Sequence, residues 1–394
     1  MLRTAPRRAQ VIAVYGATSQ SEAAVRAGLD WLARHQAADG HWGPDCLQAA
    51  PNGRCEGGSS CGGPGGDYRI AQTGLALLAF QAGGHYDFNK QKYSAVVRRG
   101  LDWLIAHQQE DGRFTQRLDD DDSPNDPQHN LRFMYQHGMA AFAMTEACAV
   151  AVATKQTPDD RYHLAAARAI RFIEEQQHED GGWRYTENEL EPSDVSVSGW
   201  QVLALKTAKQ AKISVSDQCV RKVEVFFKSC ELRDGRTGYM RSGESLSDAT
   251  TGVGMLVHQF ILDRPDSPLV KAGASYLADV AERSRTRPSG SRSLAGHAGS
   301  FKGSYYAWYN CTLAMFQAGG EPWKRWNDVV RDLVIKRQRQ DSKACLRGSW
   351  DPDTQWDDQG GRIYSTALAV LILEVYYRYH SERARIYAEA PPGR

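Results

Sequence analysis

The chain has 394 residues, which is long enough to bury a substantial hydrophobic core. Its 48 lysines and arginines nearly balance 47 aspartates and glutamates, so the formal net charge is +1. This balance excludes the strong positive field that nucleic acids select, and we expect no nucleic-acid partner. No apolar run approaches the roughly 18 residues of a membrane span, so we expect no transmembrane segment, while peripheral membrane contact stays open.

The first eight residues are basic, but the apolar run at residues 11–17 barely reaches the length of a signal-peptide core. We therefore interpret residues 1–18 as a disordered lead-in, residues 19–384 as one barrel, and residues 385–394 as a tail. Eight cysteines are too few for a disulfide scaffold. A cytoplasmic protein is the expectation, with an exported form as the alternative.

Three segments, at residues 28–42, 100–114 and 169–183, align without a gap. In each segment a glutamine, a glycine and an aromatic residue follow the first residue of the segment, at the same three distances along the sequence. Apolar residues precede each glutamine at helical spacing, and an Asp-Gly pair then ends the helix. Three weaker copies begin at Val223, Gly273 and Val330.

Six further helical segments lie between these copies and are apolar on most of their faces. They are residues 73–84, 138–151, 197–209, 250–262, 305–319 and 364–379. A helix that is apolar on most sides must be buried on most sides. The sequence therefore predicts an all-α fold, a single (α/α)6 toroid with six inner helices and six amphipathic outer helices.

The pattern Gly-x-x-x-Leu-x-x-x-Gln-x-x-x-Gly-x-Trp resembles the QW repeat of the squalene-hopene cyclase and protein prenyltransferase superfamily, over about residues 20–380. The resemblance implies this barrel, with a central cavity for an isoprenoid or a related lipid. It also implies that the repeat side chains tie each outer helix to the next turn. These side chains are Gln36, Gln108, Gln177, Trp42 and Trp183.

The chain departs from both catalytic motifs of that superfamily. The Asp-x-Asp-Asp motif of the cyclases falls on the segment that begins at Asp194, where Ser196 replaces the proton donor, and serine cannot protonate an alkene. Asp194 is also a typical N-cap residue. The zinc motif of the prenyltransferases falls on Asp248 and Ala307, so its cysteine and histidine are absent. We expect no prenyltransferase-type zinc, no other metal and no cofactor.

The N-termini of the inner helices should meet at one mouth of the toroid, where loop residues and positive helix ends gather. The candidate catalytic residues there are Asp194, Asp248 and His137. His137 would either shuttle a proton with an aspartate or be a hydrogen-bonded structural residue. Aromatic side chains at the mouth would stabilise a carbocation or pack the barrel centre. The candidate substrate-binding residues are Tyr135, Ser196, Trp200, Tyr305, Tyr306, Trp308, Arg362 and Tyr364.

Two loops carry other clusters. Residues 119–122 are four consecutive aspartates, which could form a solvated loop, a calcium or magnesium site, or a catalytic acid. Cys46, Cys55 and Cys61 follow His41 at spacings wider than those of a usual zinc-binding pair. We predict a disulfide or surface thiols for these cysteines, with a metal site as the alternative.

Three functions stay open. The first is an isoprenoid-processing protein, a terpene cyclase-like enzyme of non-standard motif, catalysing a smaller reaction than two-barrel triterpene cyclases because it has one barrel. The second is a non-catalytic scaffold that binds a lipid, a peptide or a protein partner. The third is a polysaccharide lyase or hydrolase, for which Asp194, Asp248 and Arg362 are the obvious charged set.

Overall fold

A computed structural model describes residues 14–51, 53–55, 60–115, 133–186, 191–286, 304–341 and 345–378. Within these residues the regular structure is helical, and no β-strand is formed. The helices in chain order are α1 (Ser19–Arg34), α2 (Arg69–Ala82), α3 (Ser94–Ala106), α4 (Phe133–Ala153), α5 (Asp160–Glu175), α6 (Val195–Gln210), α7 (Asp217–Cys230), α8 (Asp248–Phe260), α9 (Pro268–Thr286), α10 (Tyr305–Ala318), α11 (Gly320–Arg337), α12 (Gln355–Leu373) and α13 (Val375–Arg378).

The even-numbered helices form the inner ring. Each packs against the next even-numbered helix, and α12 packs against α2, which closes the ring. α2 is buried from Ile70 to Ala82, as expected for a helix that is apolar all round. The odd-numbered helices α1 to α11 lie outside and bury one face, for example Ala24, Leu29 and Leu32 in α1. The predicted all-α toroid is confirmed.

The inner helices α4 and α12 begin furthest before the starts that the apolar pattern predicts. α4 begins at Phe133, five residues before the predicted start at Gly138, because polar residues also occupy its first turn. α12 begins at Gln355 and contains Gly361 in the left-handed region, with φ of 72°. The predicted segment at residues 364–379 is thus the part after this kink. Residues 1–13 and 379–394 lie outside the described residues, so the lead-in and the tail stay predictions.

The repeat glutamines bond both to the turn that follows their own helix, which was predicted, and to the next outer helix, which was not. Gln36 donates through Nε2 to the carbonyl of Gly40 in its own turn, at 2.8 Å, and to the carbonyl of Val96 in α3, at 2.9 Å. The same pair of bonds is made by Gln108, Gln177 and Gln338. Gln338 bonds to the carbonyl of Ala24 in α1, so the last outer helix is joined to the first by the same type of contact that joins the others.

The repeat glycine is required by its backbone. Gly112 has φ of 96°, and a Cβ atom there would lie 2.4 Å from the carbonyl oxygen of Arg168 in the next outer helix. Only glycine allows both this conformation and this approach. Among the described residues, no helix is long and apolar enough to cross a membrane.

Candidate functional site

Asp194 is a fully buried carboxylate at the start of α6. Its Oδ1 accepts hydrogen bonds from the backbone N–H groups of Ser196 and Val197, both at 2.9 Å, and from Ser196 Oγ at 2.6 Å. Its Oδ2 accepts from Arg184 Nη1 at 2.9 Å. Burial raises the pKa of Asp194, although these contacts act to lower it. Because every contacting group is a donor, the contacts favour the carboxylate over the acid.

Ser196 connects Asp194 to Tyr135 across two inner helices. Ser196 Oγ donates its proton to Asp194, so the hydroxyl of Tyr135, 2.5 Å from Ser196 Oγ, is the donor to serine. Burial keeps the pKa of Tyr135 well above its ordinary value, so the phenol holds its proton at neutral pH. We call Tyr135, Ser196 and Asp194 the relay, because a proton can move along it towards the carboxylate.

The loop before α6 supplies residues that the sequence analysis missed. The guanidinium of Arg184 lies 4.2 Å from the ring centre of Tyr185, and the Tyr185 hydroxyl lies 2.5 Å from that of Tyr239. Tyr185 also stacks on Tyr135, with ring centres 5.7 Å apart. The available signal was that Arg184 and Tyr185 directly follow the repeat residue Trp183.

Aromatic rings continue from the relay into the centre of the toroid. Trp200 lies 6.1 Å from Tyr306 and 5.7 Å from Tyr309, between ring centres, and is nearly parallel to Tyr309. Tyr306 donates from its hydroxyl to the carbonyl of Ser196 at 3.2 Å. Burial raises the pKa of Tyr306 and of Tyr364 well above 10, yet both side chains keep accessible surface. This surface makes Tyr306 and Tyr364 candidates to line a ligand cavity.

Three predicted binding residues serve the scaffold instead of the relay. Tyr305 and Trp308 are fully buried, and the guanidinium of Arg337, on outer helix α11, lies 4.5 Å from the Trp308 ring centre. Trp308 therefore faces the outer ring. Arg362 donates through Nε to the carbonyl of Cys61 at 2.7 Å and so supports the loop between α1 and α2.

His137 also has structural contacts. The backbone N–H of Phe114 donates to its Nδ1 at 3.0 Å, and its Nε2 donates to the carbonyl of Ala169 at 3.2 Å. Burial lowers the pKa of His137 to about 4, so the ring is neutral. In other repeats the backbone N–H of the aromatic residue is accepted by Thr73, Ser198 and Thr366. Because both ring nitrogens of His137 bond to backbone, we do not retain it as a proton shuttle.

The two candidate aspartates are held by different partners. Asp248 is the first residue of α8 and accepts from the hydroxyl of Tyr276, on outer helix α9, at 2.9 Å. Burial raises the pKa of Asp248. Its contact lies towards the outer ring, whereas Asp194 contacts Arg184 and Ser196. The structure therefore gives Asp194 and Asp248 separate environments.

Asp357 is a buried carboxyl group that the sequence analysis missed. Its Oδ1 accepts from the backbone N–H of Tyr305 at 3.1 Å, and its Oδ2 accepts from Thr354 Oγ1 at 2.8 Å. Burial is the main cause that raises the pKa of Asp357 to about 6, and its charge also raises the pKa of Tyr364. The signal for it was the spacing from Thr354 to Asp357, which is that of a capping box.

The two loop predictions have different outcomes. Residues 119–122 lie outside the described residues. Cys46, Cys55 and Cys61 are buried, and none of them forms a disulfide. The prediction of surface thiols is therefore wrong, because Cys55 and Cys61 lie against His35 at the end of α1.

The family model of the squalene-hopene cyclase C-terminal domain matches residues 9–147. No curated protein matches the sequence significantly. Among solved structures, the type II terpene cyclase MstE from Scytonema, in complex with geranylgeranyl dihydroxybenzoate, is 12% identical. The match covers 91% of this chain and 97% of that chain, with a TM-score of 0.51.

Two glycan-acting enzymes also match in structure. The GH76A alpha-1,6-mannanase from Salegentibacter sp. HEL1_6 is 9% identical over 91% of this chain and 99% of that chain, with a TM-score of 0.57. An alpha-amylase from Clostridium perfringens is 11% identical over 90% and 98%, also with a TM-score of 0.57. At such low identity these structures show the fold alone. Together with the family match, they confirm the resemblance of this chain to the squalene-hopene cyclase-like superfamily, whose helical toroid it has.

Proposed function

We propose that this chain binds an isoprenoid or a related apolar lipid in a cavity lined by Tyr135, Tyr306 and Tyr364. The observation that supports this is the accessible surface that these three residues of the inner helices keep, beside the fully buried Trp200 that packs behind Tyr306. Aromatic faces offer large apolar contact area and attract positive charge, which suits both a prenyl chain and a carbocation derived from it. The complex of MstE with a geranylgeranyl compound supports the same ligand class.

The relay gives this cavity one polar end. Four donors favour the charged form of its carboxylate, although burial raises the pKa of Asp194 and opposes them, so we assign Asp194 to accepting a proton and not to protonating an alkene. The relay is suited to the reverse step, in which Tyr135 takes a proton from the bound ligand and passes its own through Ser196 to Asp194. We therefore propose proton removal as its role in any reaction of the bound lipid.

Glycan cleavage is the alternative that the mannanase and amylase matches raise. Glycoside hydrolysis generally needs two carboxyl groups that flank one bond. In the described part of the chain, Asp194 is paired with Arg184 and Asp248 bonds to Tyr276, so these two do not form such a pair. This favours the lipid over the glycan.

The test is native mass spectrometry of the purified protein with farnesyl diphosphate, geranylgeranyl diphosphate, squalene and alpha-1,6-mannotriose, followed by product analysis. We expect an isoprenoid to bind and the mannotriose not to bind. Tyr306→Leu should weaken isoprenoid binding about tenfold, the equivalent of roughly 1.4 kcal/mol. Tyr276→Leu is the matched control, because Tyr276 is also half-buried but lies on outer helix α9.

A second pair of variants tests the relay. Tyr135→Phe and Tyr276→Phe each remove one phenol hydroxyl that bonds to a side chain. Tyr135→Phe should reduce product formation while leaving isoprenoid binding within about twofold, and Tyr276→Phe should change neither. Equal effects of the two variants, or binding of mannotriose alone, would contradict the proposal.

A further inference from the structure

A cluster of one histidine and three cysteines lies where the first and last repeats of the ring meet. His35 follows α1, Cys55 and Cys61 lie in the loop before α2, and Cys345 lies in the loop before α12. Their ligand atoms all lie within 4.8 Å of one another. We propose that His35, Cys55, Cys61 and Cys345, the Cys3His cluster, bind one structural zinc ion.

The spacing of the four atoms is close to that of a tetrahedral zinc site. His35 Nε2 lies 3.2 Å from Cys61 Sγ, 3.5 Å from Cys345 Sγ and 3.8 Å from Cys55 Sγ. Zinc bonds of about 2.3 Å to sulfur and about 2.0 Å to nitrogen place tetrahedral ligand atoms roughly 3.5–3.8 Å apart. Two separations are shorter than this range and would have to lengthen on binding: that between the sulfurs of Cys55 and Cys61, at 3.0 Å, and that between His35 Nε2 and Cys61 Sγ, at 3.2 Å.

The histidine is already oriented for metal binding. His35 Nδ1 donates to the carbonyl of Trp31 at 2.8 Å, and the two rings stack with centres 4.3 Å apart. The proton is thereby fixed on Nδ1, and the lone pair of Nε2 points at the sulfurs. Zinc-binding histidines commonly use their other nitrogen in this way.

The surroundings suit the charge of the bound state. On binding, three thiols release their protons to solvent, and Zn²⁺ with three thiolates and a neutral imidazole has a net charge of −1. The backbone N–H of Cys61 donates to Cys55 Sγ at 3.3 Å, a bond that stabilises a thiolate. The positive charges of Arg34 and Arg362 act on His35 and offset the negative charge.

A second group in the same loop is already satisfied by protein charges. His41 Nδ1 lies 2.7 Å from Asp39 and its Nε2 lies 3.1 Å from Asp45. Although burial opposes it, the bond to Asp45 helps to raise the pKa of His41 to about 10, so the ring is a cation without a lone pair. His41, Asp45 and Cys46 therefore lie together without a vacant nitrogen ligand.

The Cys3His cluster joins parts of the chain that are far apart in sequence. Its histidine and its last cysteine are 310 positions apart, and Trp31 Nε1 donates to the carbonyl of Cys345 at 2.7 Å beside them. A zinc ion here would fasten the loop after the last outer helix to the first repeat. It is separate from the Asp248 position at which the prenyltransferases hold their metal.

The test measures metal in the full-length protein, purified under reducing conditions without a metal-affinity tag. Inductively coupled plasma mass spectrometry should find one zinc per chain after dialysis. Cys345→Ala should lower the zinc content at least tenfold and lower the melting temperature. Cys148→Ala is the matched control, because Cys148 is also buried but lies on α4, and it should keep the zinc.

Replacing zinc with cobalt in the wild-type protein covers the case in which Cys345→Ala does not fold. The cobalt protein should show thiolate charge-transfer bands and the strong visible absorption of a tetrahedral site. Three outcomes would overturn the proposal: wild-type protein that neither contains zinc nor takes up added zinc, a Cys55–Cys61 disulfide in peptide maps of the native protein, or iron in place of zinc.

Discussion

Four of the inner helices begin with a side-chain cap, and these caps are of two kinds. α8, α10 and α12 are capped by the neutral hydroxyls of Ser247, Ser304 and Thr354, whereas α6 is capped by the charged Asp194. Capping alone needs only an oxygen that accepts from the first turn, and a hydroxyl supplies it. The buried charge of Asp194 also needs Arg184 as a partner. The comparison teaches that α6 carries more than a cap, which is why we place the relay there.

The largest effect should come from the buried aromatic residue that recurs in the repeats. Trp183→Ala removes a fully buried ring and the bond from its Nε1 to the carbonyl of Ile173. We expect the free energy of unfolding to fall by about 5 kcal/mol, from the cavity and the unpaired carbonyl together. Urea denaturation measures it. The exposed Trp356 provides the control, since Trp356→Ala should change stability by less than about 0.5 kcal/mol.

The next largest effect on the free energy of unfolding should come from the buried charge of Asp194 at the start of α6. Arg184→Met leaves Asp194 buried without its cation and should lower the free energy of unfolding by about 4 kcal/mol at neutral pH. The variant raises the folded pKa of Asp194 further above its unfolded value, so the loss grows as pH rises. Denaturation at about pH 4 and about pH 7 should therefore give a smaller deficit at the lower pH.

The matched control for this charge effect lies on the surface. Arg171→Met breaks the exposed pair with Glu175 on α5. An exposed pair of this kind is worth less than about 0.5 kcal/mol, so this variant should have little effect at either pH. A loss of similar size in Arg171→Met and Arg184→Met would mean that Asp194 does not depend on its buried partner.

A smaller effect is expected at Asp357, a buried carboxyl group whose bonds to Tyr305 and Thr354 come from neutral donors. Its folded pKa of about 6 lies above the ordinary value of 3.8. The buried charge of Asp357 therefore does not destabilise the fold at low pH, and it destabilises the fold fully above pH 6. Asp357→Asn removes this penalty. Relative to wild type, the variant should gain up to about 3 kcal/mol between about pH 4 and about pH 7. A pH-independent difference would show that Asp357 does not titrate in this range.

The smallest effect on stability should come from converting α6 to the neutral form of cap. The double variant Asp194→Ser with Arg184→Met removes the buried pair as a unit, and the introduced serine hydroxyl would cap α6 as Ser247 caps α8. Its free energy of unfolding should lie within about 1 kcal/mol of wild type. Isoprenoid turnover, if present in wild type, should nevertheless be lost. Retained turnover in a stable double variant would show that the buried charge of Asp194 is not needed for function.

The fold was predictable because its signals are local and periodic. The spacing of Gln36, Gly40 and Trp42 recurs along the chain, and the apolar inner helices show their burial in their composition. Asp194 was also identified as a cap, because the residue before a helix start carries its own signal. These features depend on neighbours within about one helical turn or one repeat.

The missed residues depend on contacts that no local pattern records. Arg184 pairs with Asp194 only because the loop turns back over the start of α6. Cys345 meets His35 only because the ring closes. His137 was chosen for its chemistry, but its position in the repeat, shared with Ser198, determines its contacts. The residue type of His137 suggested a catalytic role, whereas its position in the repeat accounts better for its observed contacts.

Ring closure also affects how this protein should unfold. In a linear solenoid the two end repeats have one neighbour each, so they fray first. Here Gln338 bonds to Ala24 as Gln36 bonds to Val96, so the first and last repeats each have a neighbour on both sides. No repeat in the ring is an end. Amide exchange should accordingly be as slow in α1 and α11 as in α5, and unfolding should require the ring to open in one cooperative step.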